Sequence, residues 1–155
     1  MNDDRSSFAE DLGLLLSGFG LARMVGRVLG ILLISDPPER TAEDLADALR
    51  ASRGSISSST RALISMGLVQ RVSKPGERRD YFRVKSGGWD QMMRREMDSV
   101  TTLREIAERG LRILESDDPK ARRNLEEMRD VYAYWERKLP GILNQWELIR
   151  KQDKS

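Results

Sequence analysis

Two groups of basic and small polar side chains could contact a polyanion, and they lie close together in the sequence. The first group lies within one predicted helix or just before it and consists of Arg53, Ser55, Ser57, Ser58, Arg61 and Ser65. The second group flanks Pro75-Gly76 and consists of Lys74, Arg78 and Arg79. Arginine, lysine and serine side chains donate hydrogen bonds to phosphate oxygens and base edges. We therefore predict that these residues form a DNA-binding site.

The positive charge of the chain is concentrated in the same segment. The 155 residues carry a formal net charge of only +2. Residues 50–85 hold 9 basic and 2 acidic side chains, a balance of +7, whereas residues 1–49 hold 4 basic and 9 acidic ones, a balance of −5. Residues 86–155 hold 14 of each. Concentrated positive charge favours a polyanionic partner, and we predict that this partner is double-stranded DNA.

Two consecutive stretches predict a helix-turn-helix. Thr41 is a good N-cap for the first helix, with Asp44 at the capping-box position. The second helix is predicted over residues 55–66, with the serine-rich group opposite an apolar face. That apolar face consists of Ile56, Thr60, Leu63 and Ile64. Serine is a mediocre helix former, so its accumulation favours a face that approaches a DNA groove over the alternative, a merely solvated helix.

A β-hairpin is predicted directly after the second helix. Residues 68–72 and 81–84 alternate like paired strands, and Pro75-Gly76 is a type II turn signal. A flexible arginine at such a tip can enter a minor groove. The alternative is an exposed charged loop that keeps the sheet edge soluble. Because the hairpin follows a helix-turn-helix, the order of elements favours a DNA-binding winged helix-turn-helix.

The rest of the chain is predicted to be helical. Apolar residues recur at spacings of three and four from Trp89 to Leu114, Asp118-Pro119 is a strong helix start, and Pro140 is predicted to open a last helix. The winged part is too small to cover all these apolar stripes. A homodimer formed through the terminal helices would cover them, and the alternative is that the helices fold back on their own subunit.

The predicted fold class is therefore mainly α with a small β-hairpin wing, and the winged helix-turn-helix carries long terminal dimerisation helices. We predict a single domain over residues 1–155. Residues 20–85 are its DNA-binding part, and residues 1–19 and 86–155 are its helical dimerisation part.

The composition argues against catalysis and against a metal site. The chain has no cysteine and no histidine, so it lacks a thiolate and the commonest general base and metal ligand. It contains no nucleophile elbow or phosphate loop. We expect no catalytic residue, no metal and no cofactor. The acidic beginning and the short apolar runs predict a cytoplasmic protein without a membrane segment. A winged helix that binds protein is the competing class, but such domains tend to lose the basic wing.

Several motifs together resemble the GbsR-like branch of the MarR superfamily of bacterial transcription regulators. The segments that carry the resemblance are Gly20–Gly30, Asp36-Pro37-Pro38, Leu45-Ala46, Leu49–Ser55, Gly67–Val69 and Pro75–Phe82. The wing segment, Pro75-Gly-Glu-Arg-Arg-Asp-Tyr-Phe82, is the most specific of them. The resemblance implies a homodimer on an inverted-repeat operator, with a helix of each subunit in the major groove and each wing in a flanking minor groove.

The same resemblance implies two further expectations. Glu77 lies two residues before Arg79, and this family spacing suggests that Glu77 orients an arginine of the wing. Some members of the branch sense choline-type ligands, which leaves room for a small-molecule effector of unknown identity. No segment looks like an activation surface, so we expect a repressor that occupies its promoter.

Overall fold

The computed structural model describes residues 3–153 of the chain, which forms two compact units, Met1–Met92 and Met93–Ser155. The elements are, in chain order, α1 (Asp3–Gly18), α2 (Arg23–Leu33), β1 (Arg40–Thr41), α3 (Ala42–Leu49), α4 (Arg53–Ser65), β2 (Val69–Ser73), β3 (Asp80–Val84), α5 (Gly88–Ile113) and α6 (Pro119–Gln152). The predicted fold class, mainly α with a small β wing, is confirmed. Among residues 3–153, no helix combines the length and the apolar character that crossing a bilayer requires.

The sheet has three antiparallel strands in the order β1-β3-β2. The predicted hairpin is its larger part, in which Val69 pairs with Val84 and Arg71 pairs with Phe82. Arg40 of β1 pairs with the other edge of β3, also at Phe82. The sequence pattern did not predict β1, because two residues are too few for a period-2 alternation. Phe82 is buried, so the central strand is fixed on the helical core of the first unit.

Helix α4 is oriented by its apolar face. Ile56 and Leu63 are fully buried in one cluster with Leu29 and Leu45. The helix ends as predicted at Gly67, which adopts a positive φ of 77°. The N–H of Leu68 then donates to the carbonyl of Leu63 at 3.0 Å, as in a Schellman motif. Because these contacts fix the rotation of α4, the serine-rich face is directed away from the core.

The connection between α3 and α4 contains no glycine, yet it uses a left-handed residue. Arg50 occupies that position with φ 49° and ψ 47°. The N–H of Ala51 donates to the carbonyl of Ala46 at 2.9 Å and closes the end of α3. Ser52 is the N-cap of α4, and its hydroxyl accepts from the N–H of Ser55 at 3.2 Å. The second helix therefore begins at Arg53, two residues before its predicted start.

Helices α1 and α2 cross at very short range. A Cβ added at Gly26 would lie 2.2 Å from the carbonyl oxygen of Leu12, and one added at Gly30 would lie 2.7 Å from the Cα of Ala9. Ala9 itself is almost completely buried. Beside this crossing, the Glu10 carboxylate forms ion pairs with Arg23 and Arg27. Backbone contact therefore joins α1 to the rest of the first unit.

The second unit is built from α5 after Met92 and from α6. Ala107 and Leu143 are buried, and a Cβ at Gly110 would meet the Leu125 side chain at 2.9 Å. Arg104 binds Glu136 across the two helices, with Nε 2.5 Å from the carboxylate. These contacts hold α5 and α6 side by side.

The prediction that Pro140 opens a separate last helix is wrong. α6 is continuous from Pro119 to Gln152 with Pro140 in its interior, although the start at Asp118-Pro119 is as predicted. The proline removes one backbone donor, which would have bonded to the carbonyl of Glu136. On one side of the proline, Glu136 binds Arg104 of α5, and on the other side Leu143 is buried. Packing on both sides of the proline therefore keeps the helix continuous.

The orientation of α4 predicts different effects for its two faces. Ile56→Ala should lower the free energy of unfolding by about 2–5 kcal/mol, because it leaves a cavity at a fully buried site. Ser58→Ala should change it by less than about 0.5 kcal/mol, because Ser58 is exposed. Urea unfolding followed by circular dichroism measures both. Equal effects of the two substitutions would show that α4 is rotated differently.

Candidate nucleic-acid interface

The exposed face of α4 contains most of the predicted helix residues of the site. Ser55 is half-buried, and the exposed ones are Arg53, Ser57, Ser58, Arg61 and Ser65. The neighbouring Ser59 and Thr60 are buried, and the Thr60 hydroxyl donates to the carbonyl of Ile56 at 2.9 Å. The serine run is therefore divided between a core side and a solvent side. Gly54 also lies on the exposed face, and the sequence pattern did not single it out because glycine has no side chain that could contact DNA.

Arg61 is held in place by its own helix. Its Nε–H donates to the carbonyl of Ser57, one turn earlier, at 3.3 Å. This bond directs the side chain toward the N-terminal turn of α4 and uses only one of the five guanidinium donors. The terminal nitrogens remain available to a ligand in front of the helix face.

A groove joins the N-terminal turn of α4 to the wing. It has a volume of about 430 Å³, and Arg53 and Ser57 of α4 line it together with Arg79 of the hairpin. The other lining residues are Thr41, Ala42, Glu43, Asp80 and Phe82. The two groups that the sequence placed on separate elements therefore meet at one surface. This proximity depends on the packing of the sheet against the helices, and local sequence patterns do not report it.

The tip of the wing is a well-defined turn. Gly76 has a φ of +79°, and the N–H of Glu77 donates to the carbonyl of Lys74 at 3.1 Å, in agreement with the predicted type II turn. The Lys74 ammonium lies 4.1 Å from the centre of the Tyr81 ring. Lys74 is accordingly half-buried against the hairpin, whereas Arg78 and Arg79 are exposed.

The resemblance implied an arginine as the partner of Glu77, but the structure pairs Glu77 with a tyrosine. The Tyr81 hydroxyl donates to the Glu77 carboxylate. Within residues 3–153, neither Arg78 nor Arg79 forms a hydrogen bond or ion pair with another side chain. Glu77 therefore forms a hydrogen bond within the hairpin, and Arg78 and Arg79 extend from the tip of the hairpin.

The basic residues on the strands are neutralised within the hairpin and its neighbours. Arg71 lies 3.5 Å from the carboxylate of Asp80, and Arg83 lies 3.3 Å from that of Glu39. The guanidinium of Arg71 also lies over the Phe82 ring, 5.8 Å from its centre. Within residues 3–153, Arg78 and Arg79 form no ion pair, so the unpaired arginines of the hairpin lie at its tip.

Two pKa shifts reflect the hydrogen bonds around this surface. The backbone N–H of Thr41 binds the Asp44 carboxylate at 2.8 Å and lowers the pKa of Asp44. Asp44 therefore stays ionised at neutral pH, and the stabilisation by the capping box is lost only as the pH falls through this lowered pKa. The hydrogen bond to Glu77 raises the pKa of Tyr81, because the hydroxyl must keep its proton to donate. Both groups keep this geometry at neutral pH.

The comparisons with known proteins decide the family. A profile of the MarR family matches residues 19–80, and one described as an MmpR5-like MarR family transcriptional regulator matches residues 87–148. The HTH-type transcriptional regulator MmpR5 of Mycobacterium tuberculosis is 37% identical over 150 residues, which are 97% of this chain and 91% of that protein. The chain belongs to the MarR family of transcriptional regulators.

A solved structure agrees with the membership in the MarR family. The crystal structure of a transcriptional regulator is 36% identical, with a TM-score of 0.78, over 94% of this chain and 99% of that one. The predicted superfamily and the predicted transcription-regulator function are thus confirmed, whereas the finer assignment to the GbsR-like branch stays a prediction. In this MarR-family protein, the two profiles cover the winged part and the two long helices separately.

Proposed function

We propose that this MarR-family regulator represses transcription by binding, as a homodimer, to an inverted-repeat operator in double-stranded DNA. The observation that carries the proposal is the groove in which Arg53 and Ser57 of α4 meet Arg79 of the wing. A helix face and a hairpin that line one groove can follow the DNA backbone from a major groove into the adjacent minor groove. The proposed DNA contacts are the nine residues of the two groups predicted from the sequence.

Exposed apolar side chains support the homodimer. In the second unit, α6 exposes a stripe that consists of Val131, Tyr134, Trp135, Ile142, Trp146 and Ile149. In the first unit, α1 exposes Phe8, Leu14 and Leu15, and Phe19 follows directly after it. Large contiguous apolar patches on a soluble chain mark interaction surfaces. The proposed occupant is a second copy, because two half-sites of an inverted repeat require two reading helices related by a two-fold axis.

Repression, a small-molecule effector and a cytoplasmic location belong to the same proposal. A protein of this size that occupies a promoter blocks access of RNA polymerase. Repression therefore requires no surface that contacts and activates the polymerase. An effector would act by binding one arrangement of the dimer more tightly than the other. The similarity of the wing segment to the GbsR-like branch supports such an effector but gives no residues for its site. The relatives found are transcription regulators, which supports the proposal that the chain is not an enzyme.

The test is selection of bound fragments from genomic DNA, followed by titration of the enriched fragment at several salt concentrations. Sequence-specific binding should enrich fragments that share an inverted repeat. The logarithm of the association constant should fall linearly with that of the salt concentration, with a slope of about −0.9 per phosphate contact. A protein that enriches no sequence, and whose affinity for a protein partner is insensitive to salt, would be a protein-interaction module instead.

A further inference from the structure

The exposed face of α4 carries very little side-chain length. Gly54, Ser57 and Ser58 lie on this face and extend at most one heavy atom beyond Cβ. The long side chains are Arg53, at the N-terminal end, and Arg61, two turns later. A helix with such a face can approach the floor of a major groove closely. The small side chains can then contact methyl groups and backbone, but they offer few donors for discriminating bases.

Gly54 is a second indication of close approach. It lies in the first turn of α4, and a Cβ added there would meet no atom within 4 Å. Its φ is not positive, so its backbone does not require glycine. Glycine is less favourable than alanine in a helix, by up to about 1 kcal/mol, which is the value for a helix interior. Nothing in the folded chain offsets this cost, whereas a surface that approaches from outside would need the space.

Arg53 and Arg61 differ in what surrounds them. Arg53 lines the groove with Arg79, at the passage from helix to wing, where the DNA backbone would cross. Arg61 is placed on the helix face itself by the 3.3 Å bond from its Nε to the Ser57 carbonyl. Its two terminal nitrogens form a fork, and a fork of this kind matches the O6 and N7 acceptors of guanine.

We infer that this protein reads each operator half-site mainly through one G·C pair, recognised by Arg61, while Arg53 and Arg79 hold the phosphate backbone. The inference rests on the proposed function and specifies how its DNA site is discriminated. The protein thus reads few base pairs directly in each half-site. Its further preference for particular DNA sequences comes from the shape of the DNA and from the spacing of the two half-sites.

The experiment selects bound sequences from a random double-stranded pool with the wild-type protein, Arg61→Lys and Arg53→Ala. The wild type should enrich one nearly invariant guanine in each half-site. Arg61→Lys keeps the charge but lacks the planar fork, so it should enrich that guanine clearly less strongly than the wild type does. Its affinity for the wild-type site should fall about 10- to 100-fold, while its affinity for unrelated DNA changes less than about 3-fold. Arg53→Ala should weaken binding to all sequences alike, and the selected motif should still contain the guanine.

Arg123→Ala, which removes an exposed arginine from α6, is the matched control and should leave the selected motif and the affinity unchanged. An Arg61→Lys motif that enriches the guanine as strongly as the wild type does, or a wild-type motif without a dominant guanine, would overturn the inference and leave the proposed function standing. A wild type that enriches no DNA sequence would overturn both. Because Arg61 is exposed, the substitution should leave helix content unchanged, which circular dichroism verifies.

Discussion

Replacing Trp135 and Ile142 together by glutamate is expected to produce a folded monomer that no longer holds its operator. These side chains are 45% and 52% exposed in the isolated chain, so a glutamate carboxylate at either position can reach solvent within the subunit. In a dimer the same positions would bury four uncompensated charges, at a large cost. Two linked reading helices gain about 10²- to 10⁴-fold in affinity over one, and the monomer should lose a factor in this range. No DNA-facing residue is altered.

Sedimentation velocity of both proteins, and binding to a full operator and to a single half-site, measure this effect. The matched control is the pair Arg137→Gln and Asn144→Glu, which changes the net charge of α6 by the same amount at two exposed positions outside the apolar stripe. The control should remain dimeric. A wild-type protein that sediments as a monomer, and binds half-site and full operator equally well, would refute the homodimer.

The second large effect is expected at the tip of the wing. The double substitution Arg78→Ala and Arg79→Ala should weaken operator binding by about 3–6 kcal/mol, if each arginine contributes a charge-assisted hydrogen bond of about 1.5–3 kcal/mol. Both side chains are exposed and lack ion pairs in the described part of the chain. The free energy of unfolding should therefore change by less than about 0.5 kcal/mol. Fluorescence anisotropy at fixed salt and thermal melting measure the two quantities.

A matched variant separates the position of the charge from its amount. Arg71→Ala with Arg83→Ala removes two positive charges from the same hairpin, but at residues already paired with Asp80 and Glu39. Its effect on operator affinity should be clearly smaller than that of the tip variant. If the two double variants weakened binding equally, the wing would act through its overall charge, and the tip would have no special position on the DNA.

Features that depend on neighbouring residues could be predicted from the sequence. The Thr41–Asp44 capping box, the end of α4 at Gly67 and the turn at Pro75-Gly76 all form as expected. Each involves a few residues whose backbone preferences act locally. The apolar period of α4 likewise placed its serine-rich face correctly, because burial of Ile56 leaves little freedom for the helix to rotate.

Features that depend on distant residues could not be predicted in this way. The groove between Arg53 and Arg79 exists because the sheet packs beside α3 and α4, and no local pattern reports that packing. The continuity of α6 through Pro140 arises from contacts with α5, which outweigh one lost backbone bond. The hydrogen bond between Tyr81 and Glu77 spans only four residues, but it depends on the three-dimensional path of the hairpin tip, which the strand pattern does not give.

The close crossing of α1 and α2 has a mechanical consequence. Ala9 of α1 belongs to the same buried cluster as Ile56 and Leu63 of α4, and no side chain longer than a methyl group separates the two crossing backbones at Ala9 and Gly30. Interfaces packed at this density do not deform continuously. A displacement of α1 would therefore be passed on through α2 to the cluster that contains Ile56 and Leu63, and α4 would move with it. The coupling between α1 and the proposed DNA-binding helix thus depends on Gly26 and Gly30, which lie at the crossing and are not among the proposed DNA contacts.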